Sequence, residues 1–503
     1  MRATPYAEEL PYTLYRAEQV REFDRIAIEE FAIPGAELME RAGSRAFQFM
    51  RQRWPVLSEI LVVCGMGNNG GDGYVVARLA KQAGLQVRVL QLGDASQLKG
   101  DASTMAQAWL ALGREIEPFE GLPGEPALIV DAILGTGLER ELTGRWASAI
   151  EQINQHPAPV LAIDIPSGLN ADNGRIMGWA IKARATISFI GLKQGMFTGG
   201  GPDCCGEIVF DALEVPAPIY ARQTPAARRI DWQQRSEHLS LRRRSAHKGD
   251  FGHLLVVAGD QGYPGAARLA AEAAARSGVG LVTLATHPAH APYINQGRPE
   301  LISRGIADEE SLLRLLKGMN GLILGPGLGR SVWGGMVYRL ALDSGLPMVV
   351  DADALNWLAE QPTHREDWIL TPHPGEASRL LGGDTQTVQN DRFAACEALR
   401  NRFGGVVVLK GAGTLIDDGA GKPPALCSDG NPGMATGGSG DILSGIIGAL
   451  IAQGYALRDA AEHGVCLHAA AGDRAAVGGE IGMLAGDLLP ELRPLLNPGR
   501  RDV

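Results

Sequence analysis

The stretch Ile60-Leu61-Val62-Val63-Cys64-Gly65-Met66-Gly67-Asn68-Asn69-Gly70-Gly71-Asp72-Gly73 decides how the first half of this chain folds. An uncharged apolar run of strand length passes into glycines, amides and a carboxylate, and a helical pattern follows from about Tyr74 to Ala83. Strand, glycine-rich loop and helix open an α/β unit whose parallel sheet is covered on both faces. Five glycines in the loop allow backbone conformations closed to other residues and a close approach to a ligand. The N-terminus of the following helix offers free N–H groups and a positive dipole end to an anion. The spacing matches neither the G-x-G-x-x-G fingerprint nor a P-loop. A mere tight turn would not need two Asn and an Asp.

Outward from that stretch the alternation continues. Strand patterns fall at 86–92, 127–131, 159–164 and 184–190, with helical patterns at 97–112 and 145–155, and two more at 16–31 and 35–52 ahead of the first strand. Asp131 ends one strand and is followed by Gly135-Thr136-Gly137; Asp164 ends another and is followed by Ile165-Pro166-Ser167-Gly168. Ligands of open α/β sheets bind outside the carboxyl ends of the strands, so both aspartates and the Asn-rich loop are expected to converge there. Oxygen donors without clustered His or Cys suit a hard cation or sugar hydroxyls, not zinc. Either aspartate alone also fits a helix N-cap.

Residues 214–249 lose the periodicity and gain Pro and Arg, which places a boundary near 225 and gives units 1–225 and 226–503. The run Arg242–Arg244 reads as the solvated face of a linker. Strand patterns then resume at 252–258, 320–325, 347–351, 367–371 and 405–410, with helices at 265–278, 439–453 and 455–476. Gly430-Asn431-Pro432-Gly433-Met434 and Gly437-Gly438-Ser439-Gly440-Asp441 lead into one of those helices, an arrangement that makes an anion hole for a phosphate. Asp441, just inside the helix, is placed to take a proton from an attacking hydroxyl; it also suits the helix dipole. His373-Pro374-Gly375-Glu376 follows a strand and starts a helix, while Lys410-Gly411-Ala412-Gly413-Thr414 and Gly325–Gly329 are further strand-end loops.

Composition narrows the partners. The chain has 503 residues, 21% charged and 45% hydrophobic, enough for two to four folded domains. Its net charge of −10 and pI near 5.6 argue against nucleic acid or an anionic membrane as partner. Glycine is the outlier, at 66 of 503, about 13% against a usual ~7%. No uncharged apolar run reaches the ~18 residues of a membrane span. Glu8 and Glu9 stand where a signal peptide would need an apolar core. Cys64, Cys204, Cys205, Cys396, Cys427 and Cys466 lack metal-ligand spacing and read as buried reduced thiols, so a cytoplasmic setting is expected.

Leu38-Met39-Glu40-Arg41-Ala42-Gly43, the Asn68–Gly73 loop, Asp131 with its Gly-Thr-Gly, and Asp164-Ile165-Pro166-Ser167-Gly168 together resemble the NAD(P)H-hydrate epimerase domain, over about residues 10–220. The resemblance implies a Rossmann-like three-layer sandwich that interconverts the R and S hydrates of NADH and NADPH. It implies that Asn68, Asn69, Gly70, Gly71 and Asp72, with Gly135, Thr136, Gly137, Leu138, Glu139, Arg140 and Glu141, bind the dinucleotide. Asn69, Asp131 and Ser167 would hold K+, and Asp164 would contact substrate as the acid/base.

His247-Lys248-Gly249, Gly325–Gly329, His373–Glu376, Lys410–Thr414 and Gly430–Asp441 resemble the NAD(P)H-hydrate dehydratase domain of the ribokinase-like superfamily, over about residues 235–495. That implies a ribokinase-like three-layer sandwich which dehydrates the S hydrate with ADP and Mg2+, giving AMP and phosphate. Ala266, Gly327, His373 and Asp441 would line the hydrate site, and Lys410, Gly411, Ala412, Gly413, Thr414 and Gly440 the nucleotide site, with Glu376 near the cation. Sugar and vitamin kinases of that superfamily commonly carry N-x-x-E where this chain has His373–Glu376. The family also implies a homo-oligomer, a tetramer or larger. A small-molecule kinase with an N-terminal nucleotide-binding regulatory domain is the alternative, and it would leave a phosphorylated metabolite.

Overall fold

The computed structural model describes residues 10–239 and 242–497; Glu8, Glu9 and residues 240–241 of the expected linker lie outside them. The chain separates into two compact units, divided after Arg228.

The first unit is built on a seven-stranded sheet, parallel throughout, in the spatial order Glu117–Pro118, Gln86–Gln91, Glu59–Cys64, Leu128–Ala132, Val160–Ile163, Ala185–Phe189, Glu207–Asp211. Their apolar runs are buried on both faces because helices cover both. Ile60, Val62 and Cys64 pack with the helices Ala17–Glu29, Gly35–Arg53 and Asn68–Gln82, whereas Leu61 and Val63 pack with Gly144–Gln155. The result is a three-layer α/β sandwich. Glu59–Cys64 lies between Gln86–Gln91 and Leu128–Ala132, so the winding direction reverses there, and the crevice outside Cys64 and Ala132 is the topological switch point.

One expectation needs correcting. The stretch 68–73 is the first turns of the helix Asn68–Gln82, not a loop, and none of Gly65, Gly67, Gly70, Gly71 or Gly73 has a positive φ. Glycine is required here by packing. A Cβ at Gly70 would collide with the Gly65 carbonyl oxygen, and one at Gly73 would lie 2.5 Å from Ala132 Cβ and 2.9 Å from Cys64 Sγ. Gly70→Ala is therefore expected to lower the unfolding midpoint of this unit. The gain of about 1 kcal/mol in helix propensity is smaller than the ~1–3 kcal/mol of overpacking against a backbone oxygen that cannot swing away. Thermal denaturation of the variant checks it; an unchanged or raised midpoint would contradict the packing reading.

The second unit repeats the principle. Its strands run in the order Ile302–Gly305, Leu281–Thr286, His253–Val257, Gly321–Leu324, Met348–Val350, Trp368–Leu370, Val406–Leu409, Thr414–Asp417, Ala425–Cys427. Pairing is parallel as far as Val406–Leu409 and antiparallel beyond it, so Lys410–Gly413 is the turn of a hairpin. Leu254 and Val256 face the helices Pro264–Arg276, Ser439–Ala452 and Leu457–Ala475. Leu255 and Val257 point to the other face and are equally buried. Here the switch point lies at His253–Val257, between Leu281–Thr286 and Gly321–Leu324.

The expected linker is largely folded. It forms the strand Ala227–Ile230 and the helix Trp232–Ser236, with Ala227, Ile230 and Trp232 buried and Arg235 paired with buried Glu462. Arg242 is not simply solvated, since its guanidinium lies 3.6 Å over the Phe251 ring and donates to Gly278 O. Proline, arginine and the short lengths of these elements hide their periodicity. All six cysteines are buried and unbridged. No helix among the described residues is long and apolar enough to cross a membrane.

Candidate active sites

At the first switch point lies a cavity of ≈ 460 Å³. Gly67, Asn68, Asn69 and Asp72 enter it from the helix after the first strand, Gly135, Thr136 and Gly137 from the loop after Leu128–Ala132, and Asp164 from the end of Val160–Ile163. Of the other residues expected there, Gly70 and Gly71 are buried in packing and do not line it. Neither do Leu138, Glu139, Arg140 and Glu141; Glu141 is engaged by Arg175 at the surface.

Asp164 has φ +68°, a left-handed conformation that Asp tolerates better than most residues, in the turn where the strand ends. Its carboxylate is paired with the ammonium of Lys193, a side chain 0% exposed, which also donates to Ser188 Oγ (3.0 Å) and to Phe189 O (3.2 Å). A charge taken wholly out of water is retained only with such a counter-ion and donors satisfied. Three further carboxyls, those of Asp24, Asp72 and Asp101, share the cavity. Burial, reinforced by the Asp164 charge and opposed by Lys193, pushes Asp24 up to about 7. The same causes, with Asp24 added, push Asp72 well above the carboxylate range.

Asp131 and Ser167, both buried, form a second cluster next to this. Asp131 Oδ1 accepts from the Ser167 hydroxyl (2.6 Å) and Ile133 N (3.2 Å), Oδ2 from Ser167 N (2.8 Å), and Ser167 Oγ accepts from Leu134 N (2.8 Å). Burial lifts Asp131 to about 6, with those hydrogen bonds pulling the other way. Asn69, 7% exposed, has both side-chain polar atoms buried without a hydrogen-bond partner. An orphaned amide is costly unless something absent from the polypeptide satisfies it. An amide oxygen, a carboxylate and a hydroxyl are the donor types that suit a hard cation.

In the second unit the helix Ser439–Ala452 opens with Gly438 in the left-handed region, and Asp441 lies in its first turn. Burial, with the Asp351 charge added and Lys410 opposing, raises Asp441 to about 7. Lys410 Nζ lies 2.8 Å from Asp351 Oδ1 and 3.7 Å from Glu376 Oε2, and Ser444 Oγ donates to Asp351 Oδ2 at 2.7 Å. Burial acts to lower Lys410, but Asp351 and Glu376 outweigh it and its pKa is raised. A Cβ on Gly440 would lie 3.3 Å from Lys410 Nζ, so Gly440 leaves room in front of that ammonium.

His373 caps the helix Pro374–Leu381 by accepting from Gly375 N (3.0 Å), while Glu376 accepts from His373 N (2.8 Å). The imidazole is held low by burial and by Lys410. Ala266 and Gly327 meet at the switch point, where a Cβ on Gly327 would stand 3.4 Å from that of Ala266. Leu269, one turn further along the same helix, lies against Gly438, which connects them to the Asp441 turn. Gly411, Ala412 and Gly413 form the hairpin turn before Thr414, and beneath it buried Arg392 donates to Leu409 O (3.1 Å), Lys410 O (3.3 Å) and Gly413 O (3.3 Å). Asp351 and Glu376 are largely engaged by Lys410 and the cap, so they can offer a divalent cation one or two ligands. That suits an ion arriving on nucleotide phosphates.

Two parallel α/β units, each with an anion-ready helix start and acid–base side chains at its switch point, define a two-site nucleotide-handling enzyme. Residues 254–494 match the family model described as NAD(P)H-hydrate dehydratase, and 35–195 that described as YjeF-related protein N-terminus. The bifunctional NAD(P)H-hydrate repair enzyme Nnr of Coxiella burnetii is 50% identical over 487 residues, covering 96% of this chain and 99% of that protein. The Escherichia coli enzyme of the same name is 43% identical, covering 97% and 95%. A ribokinase-like superfamily protein from Enterococcus faecalis superposes on 54% of this chain and 95% of its own, with TM-score 0.50 and 26% identity. The chain belongs to the family of bifunctional NAD(P)H-hydrate repair enzymes.

Asp24, Lys193, Asp351, Arg392 and Ser444 were not singled out in the sequence. Asp24 left a signal, because it sits on the buried stripe Ala17, Val20, Asp24, Ala27 of an amphipathic helix. Lys193 did too, following the apolar run Phe189-Ile190-Gly191-Leu192.

Proposed function

We propose that residues 1–225 interconvert the R and S hydrates of NADH and NADPH, and that residues 226–503 dehydrate the S hydrate with ADP as phosphoryl donor, giving AMP and phosphate. The observation that carries this reading is Asp441, a carboxyl in a helix's first turn beside Gly440 and the Lys410 ammonium. Asp441 takes the proton of the C6 hydroxyl, whose oxygen bonds to the terminal phosphorus as the bond to AMP breaks. The ring nitrogen's lone pair then expels phosphate from C6, and loss of a C5 proton restores the dihydronicotinamide. Lys410 and the N–H groups ahead of Ile442 face the charge that develops on the phosphoryl oxygens. Magnesium, where bound with the nucleotide, neutralises phosphate charge. Asp351 and Glu376 hold Lys410 in place, and Arg392 fixes the carbonyls of its hairpin.

In the first unit Asp164 acts as acid/base toward an oxygen at C6, and Lys193 fixes its carboxylate. Asn69, Asp131 and Ser167 would hold potassium, which would supply positive charge near the dinucleotide. Exchanging potassium for sodium is expected to slow epimerisation by about tenfold, roughly 1.4 kcal/mol, and to leave S-hydrate dehydration alone. Equal epimerisation rates in the two salts would contradict this cation assignment.

Purified S hydrate incubated with magnesium and either ADP or ATP tests the second reaction. Recovery of dihydronicotinamide absorbance, with one AMP and one phosphate formed per molecule from ADP, is the expected result. A phosphorylated metabolite accumulating instead would favour the kinase alternative.

A further inference from the structure

Epimerisation at C6 needs two proton transfers: one to the hydroxyl that leaves as water, one from the water that adds to the opposite face of the ring. Asp164 is the counter-ion of the fully buried Lys193 ammonium, which suits it to accept a proton from incoming water. A donor is needed as well. The helix Ala17–Glu29, ahead of the residues that the family model matches, directs Asp24 into the cavity that Asp164 lines. Among the described residues Asp24 makes no hydrogen bond and no ion pair, although Val20 and Ala27 on the same stripe are buried. An unpartnered carboxyl turned to a ligand cavity from an apolar helix face is not there for stability.

We propose that Asp24 is the second catalytic residue of the epimerase, the acid that protonates the departing C6 hydroxyl; this rests on the epimerase reading of the first unit. The step balances: the Asp24 O–H bond breaks and an O–H bond forms on the hydroxyl. The C6–O bond breaks, and the ring-nitrogen lone pair forms the flat iminium. Water then adds to the other face and gives its proton to Asp164, and the reverse direction exchanges the two roles. Bulk solvent restores the starting protonation between turnovers. The charged and titratable groups that face Asp24 are Arg21 on its own helix, Asp72, Asp101, Asp164 and Lys193. Burial beside these carboxylates holds the Asp24 proton to about 7, where it can be both given and regained. Burial and the Asp164 and Asp24 charges push Asp72, in the same cavity, well above the carboxylate range.

The test is the pH dependence of R-to-S conversion, read by separating the epimers, for the wild-type chain, Asp24→Asn and Asp24→Glu in potassium buffer. The wild-type kcat/KM is expected to fall as pH rises above about 7, because the acid form is lost. Asp24→Asn should lose about 10²-fold in kcat, with KM and S-hydrate dehydration little changed, and its profile should lack that alkaline fall. Asp24→Glu should keep the fall with a displaced midpoint. An Asp24→Asn variant with wild-type rate and profile would overturn the proposal, as would loss of the alkaline fall in Asp72→Asn alone. Should Asp24→Asn not fold, an undisplaced midpoint in Asp24→Glu overturns it. Failure of the underlying reading looks different: the wild-type chain itself would not exceed the spontaneous rate.

Discussion

Asp441→Asn is expected to lower ADP-driven dehydration of the S hydrate by about 10²- to 10⁴-fold, the usual worth of a positioned general base, and to leave epimerisation untouched. Asparagine preserves the shape of the side chain but cannot take the C6 hydroxyl proton. The pH profile carries the sign. Asp441 acts as carboxylate and holds its proton to about 7, so the parent's kcat/KM should fall as pH drops below that value, and the residual activity of the variant should not. Stability separates chemistry from folding. The folded carboxyl binds its proton more tightly than the unfolded one, so the folded state bears a buried charge above about 7 and is relieved as pH falls. Removing that charge makes Asp441→Asn at least as stable as the parent at alkaline pH. A variant that is inactive because it is unfolded would show the opposite.

Lys193→Met should damage both the stability and the chemistry of the first unit. The methionine nearly fills the volume, but Ser188 Oγ and Phe189 O lose their donor and Asp164 its counter-ion. Breaking a buried pair by removing one partner costs about 3–5 kcal/mol. Because Asp164 is 18% exposed and recovers some water, the lower end, ~3 kcal/mol, is expected. Epimerisation should fall by 10²-fold or more, since the cavity keeps Asp24, Asp72 and Asp164 without the cation that offsets their mutual repulsion. Asp24 and Asp72 bind protons more tightly folded than unfolded, and losing the Lys193 charge that opposes this should make the loss in unfolding midpoint largest at high pH and smaller as pH falls. A midpoint equal to the parent's at every pH would contradict the role assigned to Lys193.

What could be read from the sequence follows from what local pattern encodes. Fully buried parallel strands are short apolar runs, and Glu59–Cys64, Val160–Ile163 and Val406–Leu409 were plain for that reason. Asn68–Gly73 was legible as chemistry but not as helix: glycines and amides are poor helix formers, and the contacts that force them helical, with Gly65, Ala132 and Cys64, come from elsewhere in the fold. Lys410 was legible as the end of a strand, yet its antiparallel return through Thr414–Asp417 is decided by pairing alone. The aspartates at strand ends stood out because strand ends at a switch point are where ligands bind. The counter-charges, Lys193 under Asp164 and Asp351 under Lys410, did not, since pairings across 29 and 59 residues leave no local period.

Purified R hydrate, given to the wild-type chain with ADP, magnesium and potassium, tests most directly whether one chain carries both reactions. Dihydronicotinamide absorbance should return completely and far faster than spontaneous epimerisation allows, with the S hydrate as a transient and one phosphate released per molecule restored. Recovery no faster than the spontaneous conversion of R to S would contradict the account, because it would leave the first unit's cavity without the epimerase activity assigned to it.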